Sequence, residues 1–267
     1  MSISPNLMVM ARAIEKAARS LIRDFNEVEK LQISVKGPGD FVSKADKRSE
    51  DILFESLSRD RPDWGFMGEE GKDVKGKDGR YRWIVDPLDG TNNFLHGVPH
   101  WCITVALEKD GEIVAGMTFD PIRQEMFRTE KGGGAFMNNT RLRVSGRKEL
   151  KDALVIVDAG YARKVDGEYE FYKKVIDLTE RNTATARTLG AGALDVCYVA
   201  AGRADLLIHA GGAKPWDVAA GHLMVREAAG IVTDLDLKPA TIMSGQYLAG
   251  SPVLHPKYAE LIGLKKA

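Results

Sequence analysis

Residues 83–94 read WIVDPLDGTNNF, and this stretch decides what kind of fold the chain adopts. The apolar run that ends at Asp86 has the composition of a buried strand, and Pro87 favours an extended conformation for the residue before it. The letters PLDG are typical of a β-turn, which would bring Asp89 back beside Asp86. Two carboxylates at the end of a buried strand repel each other unless a positive group pairs with them. The stretch therefore predicts a buried strand that ends in an acidic pair, and the positive partner has to be found elsewhere.

The composition is that of an ordinary globular protein. The chain has 267 residues, 44% hydrophobic and 28% charged, enough for one large domain or two closely packed halves. Lys plus Arg balance Asp plus Glu at 38 each, so we expect no strong direct binding to nucleic acid. Cys102 and Cys197 lie in apolar runs and are expected to be buried free thiols. The sequence has no signal-peptide pattern and no apolar run of about 20 residues, so we expect a cytoplasmic protein that does not bind membranes.

The N-terminal region is predicted to hold two helices and a strand. Apolar residues recur at helical spacing over residues 6–29, which predicts a first helix with one buried face. The letters KGPGD at 36–40 are expected to interrupt the chain. Ser43 would then cap a second helix that has Asp46 in its first turn. The segment PDWGFMGEEG, residues 62–71, predicts a strand that runs into an acidic loop.

The remainder of the chain divides into an antiparallel part and an α/β part. From residue 100 onward, strand-like segments are joined by turns such as Asp110-Gly111, a strong hairpin signal. The second half alternates strands with helical stretches at 167–180, 190–201 and 215–229. We therefore predict an N-terminal α+β part over residues 1–148 and a C-terminal α/β part over residues 149–267.

Four carboxylates from separate segments are candidates for one site: Glu69, Asp86, Asp89 and Asp217. Each has a simpler explanation by itself, since GEE resembles a solvated loop and an Asp in the first turn of a helix favours the helix dipole. Together, and with no cluster of Cys and His, these hard oxygen donors suit Mg²⁺. The backbone N–H groups of Gly90 and Thr91 are placed to hold a phosphate. Acidic ligands and a phosphate cradle indicate phosphate-ester chemistry.

The motifs GEE, WIVDPLDGTNNF and KPWDVAAG resemble those of the inositol monophosphatase family of Mg²⁺-dependent, lithium-sensitive phosphatases. The resemblance spans nearly the whole chain and is greatest to the bacterial SuhB-type branch. It implies a layered αβαβα sandwich, a homodimer and the hydrolysis of a small polyol phosphate such as myo-inositol 1-phosphate. Relatives act on fructose 1,6-bisphosphate, 3′-phosphoadenosine nucleotides or histidinol phosphate, so these substrates stay open. A third possibility is an accessory role with transcription antitermination factors.

The resemblance also implies which residues bind the metal ions. The ligands would be Glu69, Asp86, the main-chain carbonyl of Leu88, Asp89 and Asp217. Asp86 would bridge two ions, and Glu69 would bind the activating ions. Asp46 would hydrogen-bond to Thr91, and the pair would orient and help to deprotonate a metal-activated water for in-line attack on phosphorus.

The substrate contacts implied by the resemblance lie in the second half of the chain. Gly190, Ala191 and Gly192 would come close to the sugar hydroxyls, where small residues let the backbone approach a ligand. His209 stands where the family usually has a glutamate, with one extra residue before the WD motif. A lone histidine at a strand end is more often structural than a ligand, so two roles are open for His209: a structural residue, or the substrate contact in place of the glutamate.

Overall fold

A computed structural model describes residues 3–31, 38–77, 79–160 and 164–265 of the chain. Two β-sheets alternate with three layers of helices, which confirms the αβαβα sandwich that the resemblance implies. Buried apolar side chains form clusters between the sheets and the helices, so the hydrophobic core lies between the layers. The short strands at 73–74 and 140–141 are exposed. No helix in these described ranges is long and apolar enough to cross a membrane.

The first helical layer is the pair α1, Pro5–Leu31, and α2, Pro38–Asp60. The helix predicted over residues 6–29 is confirmed, and its apolar stripe packs on the larger sheet. The predicted start of α2 is wrong, because the helix begins at Pro38 and already includes Ser43, whose side chain lies outside the described residues. A proline fits the first helical position, where its missing N–H leaves no bond unmade. Asp46 is consequently more than two turns into α2.

The larger sheet has eight strands in the order β2-β1-β3-β4-β5-β6-β7-β8. Only β1 and β3 run parallel, and all other neighbours in this sheet are antiparallel. The β4–β5 hairpin is confirmed, and its turn residues Asp110 and Gly111 both have positive φ, 52° and 82°, as a type I′ turn requires. The strands are β1 Gly65–Gly68, β2 Asp73–Val74, β3 Tyr81–Asp89, β4 Cys102–Lys109, β5 Glu112–Asp120, β6 Glu125–Glu130, β7 Gly134–Met137 and β8 Thr140–Arg141.

The end of β3 differs from the predicted β-turn. The strand continues through Pro87 and the fully buried Leu88 to Asp89, and its register against β4 shifts between Asp86 and Asp89. Residues three apart on a regular strand point to opposite faces, whereas an extra residue in a bulge resets the alternation. Proline is tolerated at such a bulge because the ladder bond it cannot make is already lost. The bulge, rather than a turn, brings both aspartates to one cleft.

The middle and last layers are built by the C-terminal part. Helices α5, Gly192–Ala200, and α6, Pro215–Glu227, lie between the two sheets, and α4, Asp166–Asn182, and α7, Leu254–Ile262, cover the outer face of the smaller sheet. The three helical stretches predicted there are confirmed. The smaller sheet, in the order β10-β9-β11-β13-β12, consists of β9 Leu154–Asp158, β10 Thr185–Arg187, β11 Leu206–His209, β12 Ile231–Thr233 and β13 Tyr247–Gly250.

Close packing of α6 on the larger sheet depends on Gly116 in β5. A Cβ at that position would lie 2.7 Å from the Cα of Ala220. This contact fixes the depth at which α6, and Asp217 in its first turn, sits against the larger sheet. The chain passes from one sheet to the other between residues 141 and 154. The division into parts at residue 148 stays a prediction.

Candidate active site

A cleft of about 320 Å³ lies where the two sheets and the start of α6 meet. It collects most of the candidate residues from both halves of the chain. The residues that line it are Glu69, Asp86, Leu88, Asp89, Gly90, Thr91, Gly190, Gly192, His209 and Asp217, together with several that the sequence did not single out. Asp46 and Ala191 are buried nearby but do not line the cleft.

Asp86 and Glu69 form one side of this cleft. Asp86 is only 1% exposed, and its Oδ1 accepts a hydrogen bond of 2.9 Å from the backbone N–H of Leu88. The parallel pairing of β1 with β3 puts Glu69 directly beyond the end of β1, within hydrogen-bonding reach of Asp86. Burial raises the pKa of Asp86 well above its usual value, and the charges of Glu69 and Asp89 raise it further. The pair therefore binds a proton or a cation strongly.

Asp217 lies in the first turn of α6, and Asp89, the last residue of β3, contacts the first turn of α5. Asp89 Oδ2 accepts a 2.8 Å hydrogen bond from the backbone N–H of Ala193, in the first turn of α5. Asp217 Oδ2 accepts one of 2.8 Å from the N–H of Lys214, the residue that caps α6. Burial raises the pKa of Asp217 to about 7, and burial followed by the charge of Asp217 raises the pKa of Asp89. Both carboxylates are thus held in place by backbone donors while their charge stays uncompensated.

The hydrogen bond expected between Asp46 and Thr91 is not formed in the structure. The Thr91 hydroxyl donates instead to the carbonyl of Leu88 at 3.1 Å, a contact that follows from its place at the start of α3, Thr91–Leu95. Asp46 Oδ1 is buried and has no hydrogen-bond partner within the described parts of the chain. Burial raises the pKa of Asp46 to about 8, with further contributions from Glu70, Glu69 and Glu50. The catalytic roles of Asp46, Thr91 and Glu69 stay predictions.

The donor set fits a hard divalent cation. The carboxyl groups with raised pKa values, Asp46, Asp86, Asp89 and Asp217, lie close to other carboxyl groups, and they offer the oxygen atoms that Mg²⁺ prefers over nitrogen or sulfur. Across the described ranges, no three His, Cys, Asp or Glu side chains already surround one point as metal ligands would. Asp86, Asp89 and Asp217 each accept a hydrogen bond from a backbone N–H through one oxygen. These bonds explain why their carboxylates do not all point to one position. The assignment of the metal ligands stays a prediction.

The other end of the cleft is a row of three side chains across the smaller sheet. His209 in β11 pairs in register with Asp158 of β9 on one side and with Tyr247 of β13 on the other. The His209 Nε2 lies 3.6 Å from Asp158 Oδ2, and the His209 ring stacks on Tyr247 with centroids 5.4 Å apart. Burial lowers the pKa of His209, so its ring is neutral near pH 7. The structure thus brings His209 to the cleft, next to two partners that sequence reasoning missed.

Backbone glycines shape this end of the cleft. Gly160 has φ +48°, and a Cβ there would lie 2.4 Å from Cε1 of His209. Any side chain at residue 160 would therefore displace the histidine. Gly190 and Gly192 also line the cleft, and a Cβ at Gly192 would lie 3.6 Å from Asp158 Oδ2. The expected approach of this backbone to a substrate stays a prediction.

Glu69, Asp86, Asp89 and Asp217 form the acidic end of the cleft. Other side chains support this end, and sequence reasoning missed them too. Glu50 in α2 accepts hydrogen bonds from the N–H groups of Glu70 and Lys72, at 2.9 and 3.2 Å, and so fixes the loop that carries Glu69. Asn93 donates to the carbonyls of His100 and Leu189, both at 2.8 Å. His100 also bonds to Asp195 of α5 at 2.9 Å. An isolated acidic residue in the apolar helix GALDVCYVA was the available signal for Asp195.

Known proteins resemble this chain over almost its full length. The model of the inositol monophosphatase family matches residues 5–265. A protein of Mesorhizobium japonicum named inositol-1-monophosphatase is 47% identical, over 95% of this chain and 94% of its own. A Vibrio cholerae protein named Nus factor SuhB is 37% identical, over 93% and 92%. The crystal structure of the Bartonella henselae extragenic suppressor protein suhB has a TM-score of 0.89 at 42% identity and covers 97% of this chain and 99% of that one.

Proposed function

The chain belongs to the inositol monophosphatase family, and from that premise we propose that it is a Mg²⁺-dependent phosphatase that hydrolyses myo-inositol 1-phosphate. The observation that carries the proposal is the convergence of four carboxylates in one cleft, Glu69, Asp86, Asp89 and Asp217, of which Asp86 is buried and Asp89 and Asp217 are half-buried. Such a set is stable as anions only beside a cation. The name of the Mesorhizobium relative, inositol-1-monophosphatase, supports the reaction and the substrate.

The acidic end would hold the metal. Glu69, Asp86, Asp89, Asp217 and the carbonyl of Leu88 are the proposed ligands. Bound Mg²⁺ neutralises phosphate charge, activates water and stabilises the leaving oxygen. The carboxylates themselves are held by backbone donors, so little side-chain freedom is lost when they coordinate an ion.

The phosphate would lie on the backbone at the start of α3. Gly90 has φ +90°, and a Cβ there would lie 3.0 Å from both Ala191 Cβ and the carbonyl oxygen of His100. Only glycine lets the chain turn here while staying this close to the segment before α5. The N–H groups of Gly90 and Thr91 then face the cleft and orient the phosphate for in-line attack.

The attacking water would be oriented by Asp46 and Thr91. Asp46, with a pKa raised to about 8 by burial, is a carboxyl group able to take a proton near neutral pH. To meet Asp46, the Thr91 hydroxyl would have to leave the carbonyl of Leu88. That same movement would free the carbonyl oxygen to act as a metal ligand. Glu69, beside Asp86, would hold the water on its other side.

The polyol would bind to Asp158, His209 and Tyr247, which lie side by side across the smaller sheet and form the polyol end of the cleft. Asp158 accepts hydrogen bonds, and neutral His209 both donates and accepts, so the two groups suit the hydroxyls of an inositol ring. Gly190, Ala191 and Gly192 would let the backbone approach the opposite side of the ring. Fructose 1,6-bisphosphate, a 3′-phosphoadenosine nucleotide and histidinol phosphate are the alternative substrates for the same chemistry.

The direct test is phosphate release from D-myo-inositol 1-phosphate, with Mg²⁺ and with EDTA, beside fructose 1,6-bisphosphate and 3′-phosphoadenosine 5′-phosphate. Mg²⁺-dependent turnover that favours the inositol ester supports the proposal in full. A preference for another ester keeps the chemistry and changes the substrate. If no ester is turned over although Mg²⁺ raises the melting temperature, the phosphatase proposal is wrong.

A second candidate function is that of an accessory protein in transcription antitermination, and it rests on relatives named Nus factor SuhB. It would not require the acidic end, so Asp86→Asn separates it from catalysis. Retention of RNA polymerase and Nus proteins by both wild type and Asp86→Asn in a pull-down supports it, and a clean negative counts against it. We further propose a cytoplasmic, lithium-sensitive homodimer. Light scattering tests the dimer, and a phosphatase assay with lithium tests the sensitivity.

A further inference from the structure

Two adjacent residues of α2 contact both of the segments that carry Glu69 and Asp86. Ser49 is fully buried and Glu50 is 4% exposed, and neither lines the catalytic cleft. The Ser49 hydroxyl donates a hydrogen bond of 3.0 Å to the carbonyl of Pro87, in the bulged part of β3. Glu50 accepts hydrogen bonds from two main-chain N–H groups, at residues 70 and 72, in the loop after β1.

The loop after β1 is also bonded directly to β3. The N–H of Glu69 donates to the carbonyl of Val85 at 3.2 Å. Asp86 therefore lies between two held carbonyl groups, that of Val85, bonded to Glu69, and that of Pro87, bonded to Ser49. The loop, β3 and α2 form a closed triangle of hydrogen bonds around Glu69 and Asp86. In such a triangle, a displacement of α2 or of the loop changes the separation of the two carboxylates.

Gly68 allows the loop to approach α2 this closely. A Cβ at residue 68 would lie 2.1 Å from Oε2 of Glu50, so any side chain there would displace the carboxylate from the two N–H groups. The charge of Glu50 also lies near those of Asp46 and Glu69. A further anion is unfavourable beside other carboxylates and favourable beside a cation, whereas a neutral acceptor would hold the loop without this repulsion. A glutamate at residue 50 therefore favours a role in binding an ion over a role in folding alone.

We propose that Ser49 and Glu50 are positioning residues that determine the affinity of the acidic end for Mg²⁺. This inference rests on the phosphatase function proposed above. Neither side chain contacts the ion or the ester. Each holds the main chain beside a proposed ligand, so that Glu69 and Asp86 lose little freedom when they bind the ion. Loss of either contact weakens Mg²⁺ binding and leaves the reaction of the loaded enzyme nearly unchanged.

The first test is calorimetric titration of the whole protein with Mg²⁺ in the absence of substrate. Ser49→Ala removes the hydrogen bond to Pro87 without changing any charge, and it should weaken binding by about tenfold. Gly68→Ala also keeps every charge, and it should weaken binding by about the same factor because its Cβ displaces the Glu50 carboxylate. Glu50→Gln keeps a single acceptor oxygen for two donors, so its loss should be about tenfold or more.

Asp51→Asn is the matched control. Asp51 is the next carboxylate of α2, but it is exposed and pairs with the side chain of Lys72 instead of its main chain. Removal of this surface ion pair should change the affinity for Mg²⁺ by less than about twofold. A loss in Asp51→Asn as large as that in Glu50→Gln would mean that charge alone, and not the position of the loop, determines the affinity.

A double-mutant cycle tests whether Gly68 acts through Glu50. In Glu50→Ala the carboxylate that the new Cβ would meet is absent, so the addition of Gly68→Ala should cause little further loss of Mg²⁺ affinity. Equal losses from Gly68→Ala in the wild-type and Glu50→Ala backgrounds would show that the alanine acts on Glu69 directly, and the role of Glu50 would be wrong.

Phosphate release and thermal melts separate positioning from a purely structural role. With saturating Mg²⁺, Ser49→Ala should keep kcat and KM for the ester within about threefold of wild type, while the Mg²⁺ concentration for half-maximal rate rises. Variants that melt earlier in EDTA but bind Mg²⁺ as tightly as wild type would overturn the inference and leave the phosphatase proposal intact. Wild-type protein that binds no Mg²⁺ would instead refute the phosphatase proposal, and this inference with it.

Discussion

The two ends of the catalytic cleft are built in opposite ways. At the acidic end, backbone N–H groups hold Asp86, Asp89 and Asp217, and Glu69 lies beside Asp86. Burial raises the pKa of all four carboxyl groups. At the polyol end, side chains hold one another in the row Asp158–His209–Tyr247, and burial makes the histidine resist protonation. The acidic end is therefore destabilised by high pH and the polyol end by low pH. This difference agrees with the proposal that the first end binds a cation and the second binds hydroxyl groups.

The largest effect should come from the acidic end. Asp86→Asn should lower kcat by about 10³-fold or more, because it removes the carboxylate proposed to bridge the metal ions. The same change should raise the melting temperature in EDTA, since it removes a buried charge next to Glu69 and Asp89. Assays with saturating Mg²⁺ and thermal melts in EDTA measure the two effects. An Asp86→Asn enzyme with more than a tenth of wild-type activity would remove Asp86 from the ligand set.

Without metal, the stability of the protein should depend on pH through the ionisation of Asp217 at the acidic end. Asp217 has a folded-state pKa of about 7, above the ordinary 3.8, so its contribution to stability is full below pH 3.8 and is lost as the pH rises to 7. Asp217→Asn keeps an oxygen to accept from the N–H of Lys214 but cannot ionise. In EDTA, the variant should gain a few kcal/mol over wild type between pH 4.5 and pH 7.5.

Urea melts at four pH values in that range would measure this gain, and Mg²⁺ supplies the control. Bound metal favours the ionised carboxylates, so the stabilisation of wild type by Mg²⁺ should grow with pH. A gain that is the same at pH 4.5 and pH 7.5 would mean that Asp217 stays ionised in the folded protein and that the comparison of the two ends is wrong.

The sequence predicts the two ends of the cleft unequally, because they are built from different kinds of segments. The convergence of the carboxylates at the acidic end could be predicted because they lie in short contiguous motifs, GEE, DPLD and WD, and each motif ends a strand or starts a helix. The polyol end depends on three strands, β9, β11 and β13, that become neighbours only in the folded sheet. Asp158 has the same signal as Asp86, an apolar run that ends in aspartate, but nothing local says which strand lies beside it.

The local errors have physical causes of the same kind. The letters KGPGD at 36–40 predict an interruption of the chain, although Pro38 occupies the first position of α2, where a proline is favourable. PLDG was read as a turn, whereas burial of the Leu88 side chain in the core accompanies an extended, bulged strand. In both cases local propensity allowed two structures, and packing against distant segments selected one.

At the polyol end, Asp158→Asn should raise KM for inositol 1-phosphate by about 10- to 100-fold with a smaller change in kcat, because it weakens a charge-assisted hydrogen bond to a hydroxyl. A substrate without ring hydroxyls, p-nitrophenyl phosphate, is the matched comparison, and its KM should change less than threefold. Steady-state kinetics with both esters measure the difference. Equal losses on both substrates would show that Asp158 acts on the phosphate end of the cleft instead.

The smallest effect should be a pH dependence of opposite sign at His209. Burial lowers its pKa in the folded protein, so its contribution to stability is present above the ordinary pKa of 6.5 and is lost as the pH falls below it. His209→Gln keeps a group that can bond to Asp158 but cannot be protonated. The variant should be less stable than wild type at pH 7.5, where it loses the stacking on Tyr247, and should recover about 1 kcal/mol relative to wild type at pH 5. His96 is an exposed histidine in a loop outside the catalytic cleft. The control variant His96→Gln should show no such recovery. If His209→Gln loses the same stability at both pH values, Asp158 compensates the charge on the imidazolium, and the polyol end would then accept a cation as readily as the acidic end does.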